Sequence, residues 1–140
     1  MRIVYNLNMI DKESSYDDHV EAFNIGFFSS RDKAEKIAKR YLTEVNGFKD
    51  YNVTYQITDK GVIDSTDSLI LSDLFVIYGW DKNDELDEIN VIESNCYVLK
   101  QEAEQKLNEL RSSYLREEWC IDKYIIDECN WQNGFVKVYH

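Results

Sequence analysis

The sequence predicts an α+β fold: a single domain over 1–140 in which two ββαβ-like units form one mostly antiparallel sheet with two helices on one face. Three observations predict it. The order of elements in residues 2–59 recurs in residues 74–128, as internal pseudo-repeats. Each half opens on an apolar run, Ile3-Val4-Tyr5 and then Phe75-Val76-Ile77-Tyr78. An acidic stretch, a second strand-like run, a helix-like stretch and a third strand-like run follow. A shift of 69 residues lays Ala34-Glu35 on Ala103-Glu104, and Tyr55 and Ile57 on Tyr124 and Ile126. The second observation is length, since 140 residues suit one domain with a core of its own. The third is composition: 44% hydrophobic residues and 14% aromatics, with 5 Gly and no Pro, favour packed elements over linkers.

Residues 2–7 read as a strand and Asn8 to Asp18 as a polar loop. Residues 19–28 alternate loosely, are rich in Phe, and read as a second strand ending at Phe28. Ser29-Ser30-Arg31-Asp32 is a helix start, with Ser29 placed to accept a backbone N–H three residues on and Asp32 to reach back. Ala34, Ile37, Ala38, Tyr41, Leu42 and Val45 recur at helical spacing, so one stripe faces the sheet. Glu35 and Lys39, four apart, stand in the favoured order for an ion pair, and Asn46-Gly47 stops the helix. Residues 52–58 alternate Val53, Tyr55 and Ile57 with polar neighbours, the pattern of a half-buried strand. Lys60-Gly61 reads as a turn, and residues 61–72 as the connection between halves.

The second half repeats this order: a strand at 74–80, a loop at 81–88 and a strand at 89–98. A helix from Lys100 to Arg116 has Ala103, Leu107, Leu110 and Tyr114 on its inner stripe, but Val98-Leu99 stand where the capping serines stood. A strand at 120–127 follows, then a turn at Asn133-Gly134 and a short last strand from Phe135 to Tyr139 closing a hairpin.

The net charge is −11, which repels phosphate backbones and disfavours nucleic acid and anionic membranes as partners. Residues 1–69 hold nine basic and twelve acidic side chains (−3), and residues 70–140 hold seven and fifteen (−8). The second half therefore carries most of the field. No signal peptide and no apolar run of membrane-spanning length is expected. Three cysteines, Cys96, Cys120 and Cys129, are odd in number and lack CxxC spacing, which suits a reducing cytoplasm.

Few constellations carry chemistry. Asp81, Asn83 and Glu85 alternate as calcium ligands would, but Leu86 stands where an EF-hand needs Gly and Ile92 where it needs Glu. His19 follows Asp17-Asp18 and reads as a surface residue, and no Cys/His set has zinc spacing. No cofactor is implied. Cys96 and Cys120 fall in expected strands as small core residues, and Cys129, beside Asp127 and Glu128, is placed as a poor nucleophile. No P-loop, G-x-G-x-x-G, G-x-S-x-G or H-E-x-x-H motif is present, so an enzyme is not expected. All three Trp lie in the acidic half, each beside acids. Tryptophan supplies hot-spot area while acids steer a basic partner, so Trp80, Asp81, Asp84, Glu85, Asp87, Glu88 and Trp131 are the candidate partner-binding residues. Trp119, just after the second helix, reads as core.

Ile25-Gly26-Phe27-Phe28-Ser29-Ser30-Arg31-Asp32-Lys33-Ala34-Glu35, followed by Gly47-Phe48-Lys49-Asp50-Tyr51, resembles a pattern in small uncharacterised bacterial proteins. The ending Trp131-Gln132-Asn133-Gly134-Phe135 is similar to the Trp-x-x-Gly-Phe tails of the same group. The resemblance covers about half the chain. It implies a bacterial or phage cytoplasmic protein and carries no activity.

The leading functional expectation is a non-catalytic acidic protein-binding module, an immunity- or antitoxin-like inhibitor of a basic partner. One alternative is a small-molecule sensor or cryptic enzyme with an aromatic pocket between sheet and helices. Another is a homo-oligomeric structural protein, in its simplest form a homodimer, paired through an exposed sheet edge.

Overall fold

The structure, a computed structural model, describes residues 2–11, 21–64, 72–83, 88–113 and 118–135. At Glu21, 80–83 and 88–94 it describes the backbone alone. Its elements are β1 (Arg2–Asp11), β2 (Glu21–Phe28), α1 (Arg31–Glu44), β3 (Val53–Ile63), β4 (Asp73–Asn83), β5 (Glu88–Tyr97), α2 (Lys100–Ser113) and β6 (Glu118–Ile125). The fold is α+β, and its strands hydrogen-bond as a six-stranded sheet in the order β2-β1-β3-β5-β4-β6. The sheet is mixed and mostly antiparallel. β1–β2, β4–β5 and β4–β6 are antiparallel, whereas β3 and β5 run parallel at Val62↔Cys96 and Ile63↔Tyr97.

Several strands outrun their side-chain pattern. β1 continues through Asn8 to Asp11, which the sequence reading assigned to a loop, because these residues pair with Asn24 to Glu21 of β2. Asp81 to Asn83 likewise extend β4 by pairing with Asn90 to Glu88. Lys60-Gly61 is not a turn: β3 runs through it, and Gly61 does not take the left-handed backbone. The ladder at Val62 and Ile63 overrides the local turn signal. β6 starts and ends two residues before the expected 120–127, and Asp127 sits in a turn at φ 65. Phe135 lies outside any strand, and the rest of the expected last strand, 136–139, falls outside the described residues.

Cα packing divides the chain into two compact units: Ile3–Lys60 with Ile126–His140, and Gly61–Ile125 with Met1–Arg2. In the first, Ala34, Ala38 and Tyr41 of α1 are buried with Leu7 and Met9 of β1, Phe23, Ile25 and Phe28 of β2, and Phe48 and Val53. The helical stripe read from the sequence is the one that packs. The N-cap is Ser30, not Ser29: its Oγ accepts from the Lys33 N–H at 3.2 Å, and Ser30 keeps an extended backbone. Glu35 pairs with Arg31 at 3.9 Å rather than with Lys39. The segment from 126 to 135 forms a strap along the edge of β2. Asp127 donates its N–H to the Phe27 carbonyl at 2.9 Å, and Asn130 donates to that of Ile25 at 2.7 Å. Gly26 is required beneath it, since a Cβ there would collide with the Glu128 carbonyl oxygen. Phe135 closes the strap, stacked on Phe23 at 4.7 Å and edge-on to Phe48 at 5.0 Å.

In the second unit, α2 lays Ala103 and Leu107 against Ile77 and Tyr97, with Phe75, Leu110, Trp119 and Ile121 around them. Strand alternation puts Phe75, Ile77 and Gly79 of β4 and Trp119 and Ile121 of β6 on this face. Leu74, Val76 and Tyr78 take the other face. There the Tyr78 and Tyr124 hydroxyls meet at 3.0 Å. No helix among the described residues is long and apolar enough to cross a membrane.

Candidate docking surface

The sequence-predicted site residues fall in different places. Trp80 and Asp81 lie at the end of β4, and Glu88 opens β5. The register sets Trp80 opposite Val91 on one side and Glu118 on the other, Asp81 opposite Asn90, and Asn83 opposite Glu88. The backbones of Trp80, Asp81, Glu88 and Glu118 thus lie at one end of the β5-β4-β6 ladder, positions 80 and 118 on one pleat and positions 81 and 88 on the alternate one. Asp84, Glu85 and Asp87 belong to the connection of this hairpin and lie outside the described residues. Trp131 belongs to the first unit, in the strap. It has a left-handed backbone at φ 61 and is 47% exposed, with its ring edge-on to Phe23 at 4.9 Å. A left-handed conformation costs an L-residue about 1–2 kcal/mol. Beside it the Gly134 N–H donates to the Trp131 carbonyl at 2.9 Å, and Tyr41 Oη donates to Asn130 O at 2.7 Å.

A groove that the sequence reading did not single out runs between α2 and β6. Its volume is about 430 Å³, and it is lined by Glu104, Leu107, Asn108, Arg111, Trp119, Cys120 and Ile121. Glu104, Asn108 and Arg111 stand at i, i+4 and i+7 along one flank of the helix, beside the buried stripe. Across from them the six-membered ring of Trp119 occupies the space that a Gly79 Cβ would take. Among the described residues, β6 has β4 on one side and no strand on the other. The polar row on the helix looks in sequence like any solvated face.

Among the described residues the nucleophile candidates read from the sequence are the three free thiols. Burial, together with the Asp122 carboxylate, pushes the Cys120 thiol up, despite a backbone hydrogen bond at Tyr78 that acts the other way. Such a thiol stays protonated and is a poor nucleophile at neutral pH. Cys96 is fully buried in β5. Cys129 is half-buried, with Arg40 Nη2 at 3.9 Å from its sulfur, while the Asp127 carboxylate turns away to Ser29 and Lys33. Among the described residues no three His, Cys, Asp or Glu side chains gather as metal ligands.

In comparisons with protein-family models, curated proteins and solved structures, nothing matches this chain.

Proposed function

We propose that this chain is a non-catalytic, acidic protein-binding module that covers a basic surface of its partner, in the manner of an immunity- or antitoxin-like inhibitor. The observation that carries the reading is the ladder end at the β4–β5 hairpin. The backbones of Trp80, Asp81, Glu88 and Glu118 end the ladder there, Trp80 level with Glu118 and the acidic positions 81 and 88 on the alternate pleat, in the half of the chain whose charge is −8. Acids steer a basic surface toward the hairpin, and tryptophan supplies the buried contact once it arrives. Inhibition on this reading is steric and electrostatic and needs no catalytic group. Half-exposed Trp131 is a second anchor of the same kind on the first unit.

The test is a pull-down from native lysate at low and moderate salt, run in parallel with a variant carrying Asp81→Lys, Asp84→Lys, Glu85→Lys, Asp87→Lys and Glu88→Lys. The reading expects a basic protein captured by the wild-type chain, weakened by salt and lost in the variant. Equal capture by both would remove it. The α2–β6 groove has the volume of a small-ligand site, but Trp119 is its one aromatic residue. A metabolite found by native mass spectrometry would move the reading to a sensor.

A further inference from the structure

The rim of the groove between α2 and β6 is sorted by charge along its length. Toward the end of the helix Asn108 and Arg111 stand one turn apart, and Glu104 stands a turn before Asn108. Glu104 already has a cation beside it, Lys100 Nζ at 3.9 Å. On the α2 face of β4 and β6, Asp73 and Lys123 pair with each other at 3.7 Å. Glu102 and Glu109 lie on the other flank of the helix, toward Tyr97, and Glu109 has Lys106 at 3.5 Å. Among the described residues Arg111 has no ion pair and the Asn108 amide no hydrogen bond. Two donors therefore stand together at one end of a groove whose apolar lining is Leu107, Trp119 and Ile121. A guanidinium and an amide suit a carboxylate, which accepts from both. The last turn of a helix favours a cation in any case, and Arg111 is the one there. That role asks for no ligand, so binding and not stability separates the two.

We propose that the groove between α2 and β6 binds a small apolar monocarboxylate, an aryl-alkyl or short aliphatic acid. Its carboxylate meets Arg111 and Asn108, and its apolar body lies on Leu107, Trp119 and Ile121. The volume of about 430 Å³ is at the small end of the range for ligand sites. Glu104 sets the charge of the other end, seven residues or about 10 Å of helix from Arg111. A second carboxylate there meets Glu104 itself, and a cation there competes with Lys100. The site goes beyond the docking reading and does not depend on it. The rim residues Glu104, Asn108 and Arg111 are exposed, so the acid binds weakly, at about 1 mM, and is lost in purification. It is distinct from the retained metabolite that favours a sensor.

The test titrates the whole, isotope-labelled chain with hydrocinnamate, its primary amide and para-phenylenediacetate, following backbone and indole N–H resonances. Hydrocinnamate is expected to shift Asn108, Trp119 and Ile121 saturably and to bind about fivefold more tightly than the amide. Arg111→Gln is expected to weaken hydrocinnamate about fivefold and to leave the amide unchanged, which a dipole-complementing role does not explain. Glu104→Gln is expected to tighten the dicarboxylate about threefold. Both positions are exposed on α2, and glutamine is a good helix former, so both variants fold. No saturable shift at the groove residues, equal binding of acid and amide, or unchanged affinity in Arg111→Gln overturns the site. Equal binding of the mono- and dicarboxylate by the wild-type chain overturns the ligand class. Either failure leaves the hairpin reading to its own pull-down.

Discussion

The Asp127 carboxylate accepts three hydrogen bonds at the start of α1, from the Ser29 N–H at 2.9 Å, from Ser29 Oγ at 2.9 Å and from Lys33 Nζ at 3.0 Å. Ser29 and Asp127 are 98 residues apart in sequence, so the contact fixes the strap to the helix start. Burial alone would raise this carboxyl, but the Ser29 backbone and side chain and the Lys33 ammonium outweigh burial and hold it below the usual carboxylate range. The stabilisation is therefore present above the ordinary aspartate pKa and is lost as pH falls through the lowered one. Asp127→Asn, which still tolerates a left-handed backbone, should cost about 1–2 kcal/mol at pH 7. Its urea midpoint should fall less steeply than that of wild type below about pH 4.

Ser29 and Ser30 do different work although they are adjacent and identical. Ser30→Ala removes the N-cap and should cost about 1 kcal/mol whatever stands at 127. Ser29→Ala should matter only while Asp127 is present. A double-mutant cycle should give a coupling of about 0.5 kcal/mol or more for Ser29 with Asp127, and none for Ser30 with Asp127.

Tyr41 ties α1 to the strap from inside the core. Burial first, and then the neighbouring Cys129, push its hydroxyl up to about 12, against an opposing effect of Arg40. A raised acid contributes stability that is complete below the unfolded value of about 10 and is lost as pH climbs toward 12. Tyr41→Phe, which loses the hydrogen bond to Asn130, should cost about 1 kcal/mol at pH 7. In alkaline titration followed by circular dichroism, it should lose less stability than wild type between pH 10 and 12.

Trp119 and Gly79 form a complementary pair in the second unit. Gly79→Ala drives a methyl into the indole and should destabilise by about 1–3 kcal/mol. Trp119→Leu should relieve most of that penalty, and the cycle is measured by urea unfolding. Additive costs would mean that the ring does not rest on Gly79.

Much of this fold was legible from local pattern. Ala34, Ala38 and Tyr41, and Ala103 and Leu107, announced their helices and buried faces because a 3.6-residue period needs no distant information. The strand ends at Asn8 to Asp11 and at Asp81 to Asn83 were missed because backbone pairing holds them, and polar side chains do not report it. The strap itself was not legible for the same reason: its partners are the carbonyls of Ile25 and Phe27, which leave no mark on the residue letters. Of the residues proposed for the site, Trp80, Asp81 and Glu88 are near one another because they are near in sequence, whereas Trp131 sits in the first unit. Glu104, Asn108 and Arg111 were missed because a polar row at helical spacing ordinarily faces solvent.

The central claim is electrostatic docking of a basic partner at the β4–β5 hairpin, and association kinetics test it most directly. With the captured partner in hand, the rate constant for association is measured by stopped flow across ionic strength, for wild type and for the variant reversed at Asp81, Asp84, Glu85, Asp87 and Glu88. The account predicts a wild-type rate that falls steeply with salt, and a variant slowed by about tenfold or more at low salt with little salt dependence. Identical rates and identical salt slopes for the two proteins would contradict it.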